Sequence, residues 1–230
     1  MYMMHQQILK SIPKIVFIVL CTGCLYEPAF AQTPPFYNDI QRFKARDSSY
    51  MPAKNAILFV GSSSFTNWPY VHEYFPGYTI INRGFGGSSL TDLIRYADEI
   101  IFPYDPKQIV IYCGENDLAG SDAISADTVF DRFKQLFGMI RTKMPGVAVA
   151  FVALKPSPSR EKLWPKMQSS NTMIKDYLKA QKNTAFIDVY HGMFNKDGSV
   201  MQDIFIEDAL HMNPKGYAIW KKIIEPYLLK

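Results

Sequence analysis

The sequence predicts an α/β fold built on a single five-stranded, doubly wound parallel sheet. After about residue 52, short apolar runs rich in β-formers alternate with longer segments of helical period. The apolar runs are nearly continuous, which is typical of parallel strands covered on both faces. A chain of 230 residues that is 48% hydrophobic can form one sizeable core, but it is short for two domains.

Five segments are predicted strands because each is short and apolar. They are Ala56–Val60, Thr79–Asn82, Gln108–Cys113, Val147–Leu154 and Thr184–Val189. Between them, apolar residues recur at helical spacing and are predicted to face the core. These residues are Leu93, Ile94, Ala97, Ile100 and Ile101, then Val129, Phe130, Phe133, Leu136, Phe137 and Ile140.

Helix ends are predicted from local chemistry. Ser125 is placed as an N-cap, and Met144-Pro145-Gly146 should stop the helix that follows it. A further helix is expected to start at Pro165. The last should begin at Asn213-Pro214, a cap followed by a first-turn proline, and should bury Tyr217, Trp220 and Ile224.

The N-terminus has the three parts of a signal peptide. Lys10 and Lys14 precede the apolar run Ile15–Leu20, and Ala29-Phe30-Ala31 is an A-x-A cleavage site. Residues 1–31 are therefore the predicted signal, and 32–230 a single domain whose polar N-terminal extension covers about 32–52. The expected location is periplasmic or secreted. An uncleaved anchor and a lipid-modified Cys24 are lesser alternatives.

The overall charge and the number of cysteines exclude several kinds of partner and site. The net charge of +4 is spread along the chain without a basic run, so nucleic acid is not an expected partner. Cleavage would leave Cys113 as the one cysteine, which excludes an internal disulfide and a cysteine-rich metal site. No metal or organic cofactor is expected. Gly84-x-Gly86 is too short a match to count as a nucleotide-binding motif.

Four polar or glycine-rich segments follow predicted strands or precede the last helix, and in a doubly wound sheet sites form at the carboxyl ends of the strands. They are Gly61-Ser62-Ser63-Ser64, Asn82-Arg83-Gly84-Phe85-Gly86-Gly87, Gly114-Glu115-Asn116-Asp117 and Asp208-Ala209-Leu210-His211.

A serine at a glycine-led turn from strand to helix can present its hydroxyl above the sheet as a nucleophile, although serines there can also simply cap the helix. A nucleophilic serine needs a base. We select His211 because Asp208, three residues earlier on a short turn, can fix its tautomer. His72 and His191 are interpreted as surface or loop histidines.

Acyl transfer also needs hydrogen-bond donors for the oxyanion of the tetrahedral intermediate. Gly87 can supply an unobstructed backbone N–H, and Asn116 a side-chain amide. Each feature has an ordinary explanation alone, as a tight turn or an Asx-type loop bond. It is the occurrence of all four segments, in this order, that indicates a site.

These four segments resemble the sequence blocks of the SGNH hydrolases, also called GDSL lipases and esterases, from about Ile57 to Trp220. The resemblance implies a flavodoxin-like, three-layer α/β/α sandwich and maps the block residues to Ser63, Gly87, Asn116 and His211. Asp208 would complete a Ser-His-Asp triad, and the Ser63 N–H would join the oxyanion hole. Lys155–Arg160 and Glu207–Trp220 are similar to the platelet-activating-factor acetylhydrolase-like branch, which implies short acyl groups.

The first block departs from the family pattern, since Ser62 stands where Gly-Asp-Ser-Leu carries aspartate. The expected function is hydrolysis of short-acyl esters, with O-acetylated carbohydrates as the expected substrates. The alternatives are a lysophospholipase or lipase for longer chains, and an inactive carbohydrate-binding relative. Phe65, Trp68 and Phe85 are candidates either to line the substrate pocket or to lie in the core, the core being favoured for Trp68.

Overall fold

Five parallel strands form the centre of the computed structural model, which describes residues 33–68 and 70–230. The strands are β1 (Ile57–Gly61), β2 (Ile80–Gly84), β3 (Gln108–Tyr112), β4 (Ala148–Val152) and β5 (Thr184–Ile187). Their order is β2-β1-β3-β4-β5, and every adjacent pair is parallel. The predicted fold class is confirmed. The predicted signal peptide, residues 1–31, lies outside the described residues.

Helices cover both faces of this sheet. They are α1 (Tyr37–Ser49), α2 (Ser63–Thr66), α3 (Val71–Tyr74), α4 (Leu90–Arg95), α5 (Ala97–Ile100), α6 (Glu115–Gly120), α7 (Ala126–Lys143), α8 (Trp164–Lys179) and α9 (Pro214–Ile224). Helices α1, α4, α5, α7 and α8 pack on one face, and α2, α3 and α9 on the other. Within β1, Leu58 and Val60 face the first core while Ile57 and Phe59 face the second. This alternation explains why the strands are apolar on both sides.

The predicted caps are confirmed. The Ser125 hydroxyl accepts a hydrogen bond from the Thr128 N–H at 3.2 Å, and α7 ends at Lys143, just before Met144. Asn213 accepts from the N–H of Lys215 at 2.9 Å and of Gly216 at 3.3 Å, and α9 starts at Pro214. These bonds satisfy backbone donors that the first helical turn leaves free.

Several predicted elements have other bounds than those observed, and β5, for example, ends at Ile187 rather than Val189. The stripe from Leu93 to Ile101 forms two short helices, α4 and α5, that meet at Tyr96. The fourth strand stops at Val152 rather than Leu154, because the Asn171 side chain binds both the N–H (2.8 Å) and the carbonyl (3.0 Å) of Leu154. Leu154 therefore leaves the sheet and directs the chain towards Lys155.

Helix α1 lies in the stretch that the sequence suggested only as a polar extension. Its one buried residue is Ile40, so its apolar stripe is weak. Phe36 and Phe43 are partly buried and pack against the same core. An ion pair between Asp47 and Arg83, a residue of β2 that is 5% exposed, adds a polar attachment. The Tyr104 hydroxyl donates to Asp47 at 2.6 Å and accepts from Arg83 Nε at 2.6 Å. A polar cluster thus joins α1 to the sheet edge.

Cys113 follows β3 and is a buried, free cysteine whose sulfur lies 3.5 Å from the Ser88 carbonyl oxygen. Across the described residues, no group of three or more His, Cys, Asp or Glu side chains is placed to hold a metal ion. In the same part of the chain, every helix is too short or too polar to span a membrane.

Candidate active site

Ser63 lies at the turn between β1 and α2, and among the three adjacent serines it alone is partly exposed. The turn requires Gly61, which has φ +152° and where a Cβ would lie 1.9 Å from the Tyr112 carbonyl oxygen. Ser62 and Ser64 are 3% and 1% exposed. The alternative that these serines cap a helix is not supported, because α2 has no side-chain cap hydrogen bond.

His211 and Asp208 reach Ser63 from the loop before α9. The His211 Nε2 lies 2.9 Å from the Ser63 Oγ, and its Nδ1 lies 2.5 Å from Asp208 Oδ2. The Asp208 carboxylate accepts a hydrogen bond from Nδ1, so Nδ1 carries the ring proton. Nε2 is then unprotonated and can accept the proton of the Ser63 hydroxyl. The structure therefore brings together three side chains that are up to 148 residues apart in the sequence.

The Asp208 carboxylate is held in its charged form. Desolvation raises its pKa, but hydrogen bonds from the His211 backbone and ring and from the Leu210 backbone outweigh this and lower the pKa to about 2. The backbone bonds are 2.8 Å from the His211 N–H and 2.9 Å from the Leu210 N–H. The turn that aims His211 thus also keeps its partner ionised.

A second pair has the same spacing. Asp188 precedes His191 by three residues, and its Oδ2 lies 2.8 Å from the His191 Nδ1. Asp188 was not recognised from the sequence as a partner of His191. His191 and His72 are both exposed, as expected, and neither hydrogen-bonds to a described serine. The Asp-x-x-His spacing is therefore not selective by itself, and proximity to Ser63 distinguishes His211.

The loop that carries the candidate donor Gly87 lies beside Ser63. Gly87 lies in an exposed turn with φ +85°, and a Cβ on the preceding Gly86 would lie 3.9 Å from that of Ser63. Within the described residues, the backbone N–H groups of Ser63 and Gly87 donate to no protein acceptor. One N–H of the Asn116 side-chain amide donates to the Ser88 carbonyl at 2.9 Å, which leaves the second N–H free.

The loops that carry these donors are joined to one another. The Asn116 bond to Ser88 connects the first turn of α6, which follows β3, to the loop after β2. Asp117 adds a second connection by accepting from the Leu90 N–H at 2.9 Å, and Arg132 pairs with the same carboxylate at 2.7 Å. These contacts fix the position of the donors before a substrate arrives, and such preorganisation is what makes oxyanion donors effective.

Sequence reasoning missed a buried charged cluster beneath Asn116. Glu115 and Lys155 are 4% and 1% exposed and form an ion pair at 3.0 Å. The Tyr112 hydroxyl and the Ser157 hydroxyl also donate to Glu115. Arg160 donates to the Asn116 Oδ1 at 2.7 Å. Lys155 and Arg160 lie in a segment that the sequence singled out only by resemblance, and nothing local marks them as partners of Glu115 and Asn116.

The aromatic candidates near the site lie in the core. Phe65, Trp68 and Phe85 are each at most 1% exposed. The expectation for Trp68 is confirmed, and the suggestion that Phe65 and Phe85 line a pocket is wrong. Their rings instead pack against other core aromatics, such as Phe59 for Phe65 at 4.8 Å and Phe36 for Phe85 at 5.3 Å between centroids.

Comparisons with known proteins agree with this arrangement. The model of the GDSL-like lipase/acylhydrolase family matches residues 54–219. No curated protein matches the sequence.

Solved structures share the fold. A GDSL-like lipase from Bacteroides thetaiotaomicron VPI-5482 is 22% identical, with a TM-score of 0.70 over 82% of this chain and 96% of its own. A Streptococcus pneumonia protein provisionally named a platelet activating factor is 20% identical, with a TM-score of 0.73 over 84% and 92%. An acetyl-xylooligosaccharide esterase mutant from Geobacillus Stearmophilus is 15% identical, with a TM-score of 0.61 over 77% and 96%.

The family match covers well over half of the chain, and the structural likeness extends over the same region. The chain is therefore a hydrolase that belongs to the GDSL-like lipase/acylhydrolase family.

Proposed function

We propose that the protein is a serine esterase that cleaves short-acyl esters, of which O-acetyl groups on carbohydrates are the preferred class. The observation that carries the proposal is the 2.9 Å contact between the Ser63 Oγ and a histidine whose other nitrogen is bound to an ionised aspartate. The backbone N–H of Ser63 and that of Gly87, the residue after the glycine that lies near Ser63, donate to no acceptor among the described residues.

In the proposed mechanism the Ser63 Oγ attacks the ester carbonyl carbon while His211 Nε2 takes its proton. The oxyanion accepts hydrogen bonds from the N–H groups of Ser63 and Gly87 and from the Asn116 amide. As the intermediate collapses, His211 returns the proton to the leaving alcohol. Water, deprotonated by His211, then attacks the acyl-serine, and the carboxylic acid is released with Ser63 regenerated.

Two observations favour small acyl groups. The aromatic side chains nearest Ser63 in sequence are packed into the core and do not line a channel for a long chain. Ser63 is partly exposed and Gly87 is exposed, so an ester of a bulky alcohol such as a sugar can approach the nucleophile from solvent. A structural neighbour is itself an acetyl-xylooligosaccharide esterase, which is consistent with this class.

The test is hydrolysis of p-nitrophenyl acetate, butyrate and octanoate and of acetylated xylo-oligosaccharides. We expect kcat/KM to fall as the acyl chain lengthens and Ser63→Ala to abolish turnover, with Ser64→Ala, a buried neighbour, as the matched control. Rates that rise with chain length would favour the lysophospholipase or lipase alternative.

An inactive carbohydrate-binding relative is the other alternative, motivated by Ser62 in place of aspartate. It predicts that a fluorophosphonate does not label Ser63 in the folded protein. We expect labelling, because the contacts of Ser63 with its base do not involve Ser62.

We also propose that the protein acts outside the cytoplasm after cleavage at Ala31. The support is the basic, apolar and A-x-A pattern of residues 1–31. N-terminal sequencing of the protein from its native host should begin at Gln32. Recovery of uncleaved protein in the cytoplasmic fraction would refute this.

A further inference from the structure

Arg160 makes a direct contact with one of the proposed oxyanion donors. Its Nη2 donates to the Asn116 Oδ1 at 2.7 Å, while the Asn116 Nδ2 donates to the Ser88 carbonyl at 2.9 Å. An amide group offers one oxygen and two N–H donors. With the oxygen and one N–H bound, the second N–H is the one left for a ligand.

These two contacts specify which way the amide faces. If the Asn116 amide were flipped, its NH2 would face the guanidinium donors of Arg160 and its oxygen would face the Ser88 oxygen. Both pairings are repulsive, because donor would meet donor and acceptor would meet acceptor. Ser88 alone would select the same orientation through one neutral bond, and Arg160 adds a charged one, which is stronger.

The backbone that carries Arg160 is itself held in place. The Arg160 N–H donates to the Ser157 carbonyl at 3.0 Å, and the Ser159 N–H and hydroxyl both donate to the Ala209 carbonyl at 3.1 Å. Ala209 belongs to the loop that carries His211. The short 3-10 segment Pro158–Leu163 therefore connects the base and the amide donor.

The charge of Arg160 is placed in a buried cluster. Desolvation raises the pKa of Glu115, but the positive charges of Lys155 and Arg160 outweigh it and lower this pKa. Lys155 pairs with Glu115 at 3.0 Å, whereas the guanidinium of Arg160 contacts the Asn116 oxygen at 2.7 Å. A cation on the amide oxygen polarises the amide and strengthens its N–H as a donor.

We propose that Arg160 is a positioning residue that orients and polarises the Asn116 amide towards the oxyanion. The inference rests on the proposed function only in assuming that Asn116 faces the oxyanion of an attack by Ser63. Arg160 does not touch the reacting atoms in this scheme, and its effect is exerted through Asn116.

The first test is Arg160→Met with p-nitrophenyl acetate. We expect kcat to fall about 10- to 100-fold, which is no more than the fall caused by removing an oxyanion donor itself. KM should stay within about 2-fold of wild type. Arg160→Lys should recover part of the loss, because it keeps the charge and one donor but not the planar fork. Lys162→Met, an exposed cation in the same segment, is the control and should match wild type. An unchanged kcat in Arg160→Met would overturn the proposal.

The second test is a double-mutant cycle with Asn116→Ala. If Arg160 acts through Asn116, Arg160→Met should change kcat by less than about 2-fold once the amide is absent. An equal loss in both backgrounds would show that Arg160 acts independently, which contradicts the proposal. Thermal unfolding of each variant identifies any that do not fold, and Arg160→Gln then replaces Arg160→Met in the cycle.

The rate of Ser63 phosphonylation by a fluorophosphonate separates this proposal from the proposed substrate. This reaction also places a developing oxyanion at the site but does not depend on the natural ester. If phosphonylation is slowed by Arg160→Met while no short-acyl ester is cleaved, the inference stands and the substrate proposal fails. If esters are cleaved but phosphonylation and kcat are insensitive to Arg160, the inference fails alone. No phosphonylation of wild type would count against both.

Discussion

At the scale of single residues, two Asp-x-x-His pairs with nearly the same internal geometry occur in this chain. In one the His191 ring is 80% exposed and hydrogen-bonds to its own aspartate. In the other the His211 ring is 22% exposed and also lies against Ser63. Local sequence cannot distinguish them, since both pairs close the same short turn. Their different surroundings provide an internal control for the role of the aspartate.

Replacing Asp208 by asparagine should lower kcat by about 10²- to 10⁴-fold, because the amide would not hold the tautomer that leaves Nε2 free. The measurement is turnover of p-nitrophenyl acetate. Asp188→Asn removes the equivalent carboxylate beside His191 and should leave kcat unchanged. Equal losses in the two variants would contradict the assignment of His211.

The low pKa of Asp208 has a consequence for stability. A carboxylate whose folded-state pKa is about 2, below an unfolded value of about 3.9, adds stability above the unfolded pKa that is lost as pH falls through the folded one. Urea unfolding of wild type and Asp208→Asn should therefore differ by a constant amount above about pH 5. The difference should shrink between about pH 4 and 2. A difference that grows on acidification would contradict the sign.

At the scale of elements, α1 is held by the Asp47–Arg83–Tyr104 cluster in addition to the contacts of Ile40 and Phe43 with the core. Desolvation, followed by the hydrogen bond to Asp47, raises the pKa of Tyr104 to about 12, so the hydroxyl stays protonated and remains a donor. Removing one partner of a buried ion pair leaves the other charge buried without a partner.

Asp47→Ala should accordingly lower the free energy of unfolding by about 2–4 kcal/mol, measured by urea denaturation. The control is Lys54→Met, which removes an exposed pair with Asp105 at 3.7 Å and should cost less than about 1 kcal/mol. If the two variants lose the same stability, the cluster does not anchor α1.

The elements that could be predicted are those set by nearby residues. Ser125 and Asn213 specify helix starts through bonds within three residues, and the strands are marked by their own apolar runs. Helix α1 and the early end of β4 depend on Arg83 and Asn171, which are distant in the sequence. Such contacts leave no local pattern, so the sequence alone does not predict them.

At the scale of the whole molecule, the parallel sheet explains how four separate segments form one site. All five strands run in one direction, so the loops after β1, β2 and β3 emerge at the same edge. This placement of Ser63, Gly87 and Asn116 was predictable from the pattern of strands together with the family resemblance. The pairs Glu115–Lys155 and Arg160–Asn116, 40 and 44 residues apart, required the structure.

Cys113 lies under this edge, and burial raises the pKa of its thiol well above the usual range. Because the thiolate is the reactive form, the folded protein should not exchange with disulfides in an oxidising compartment. In a chain carrying Cys21→Ser and Cys24→Ser, a thiol reagent should label Cys113 only when the sheet opens, and fully in urea. Fast labelling without denaturant would show a looser core. In that variant the modification rate of the single thiol therefore reports how often the folded protein opens.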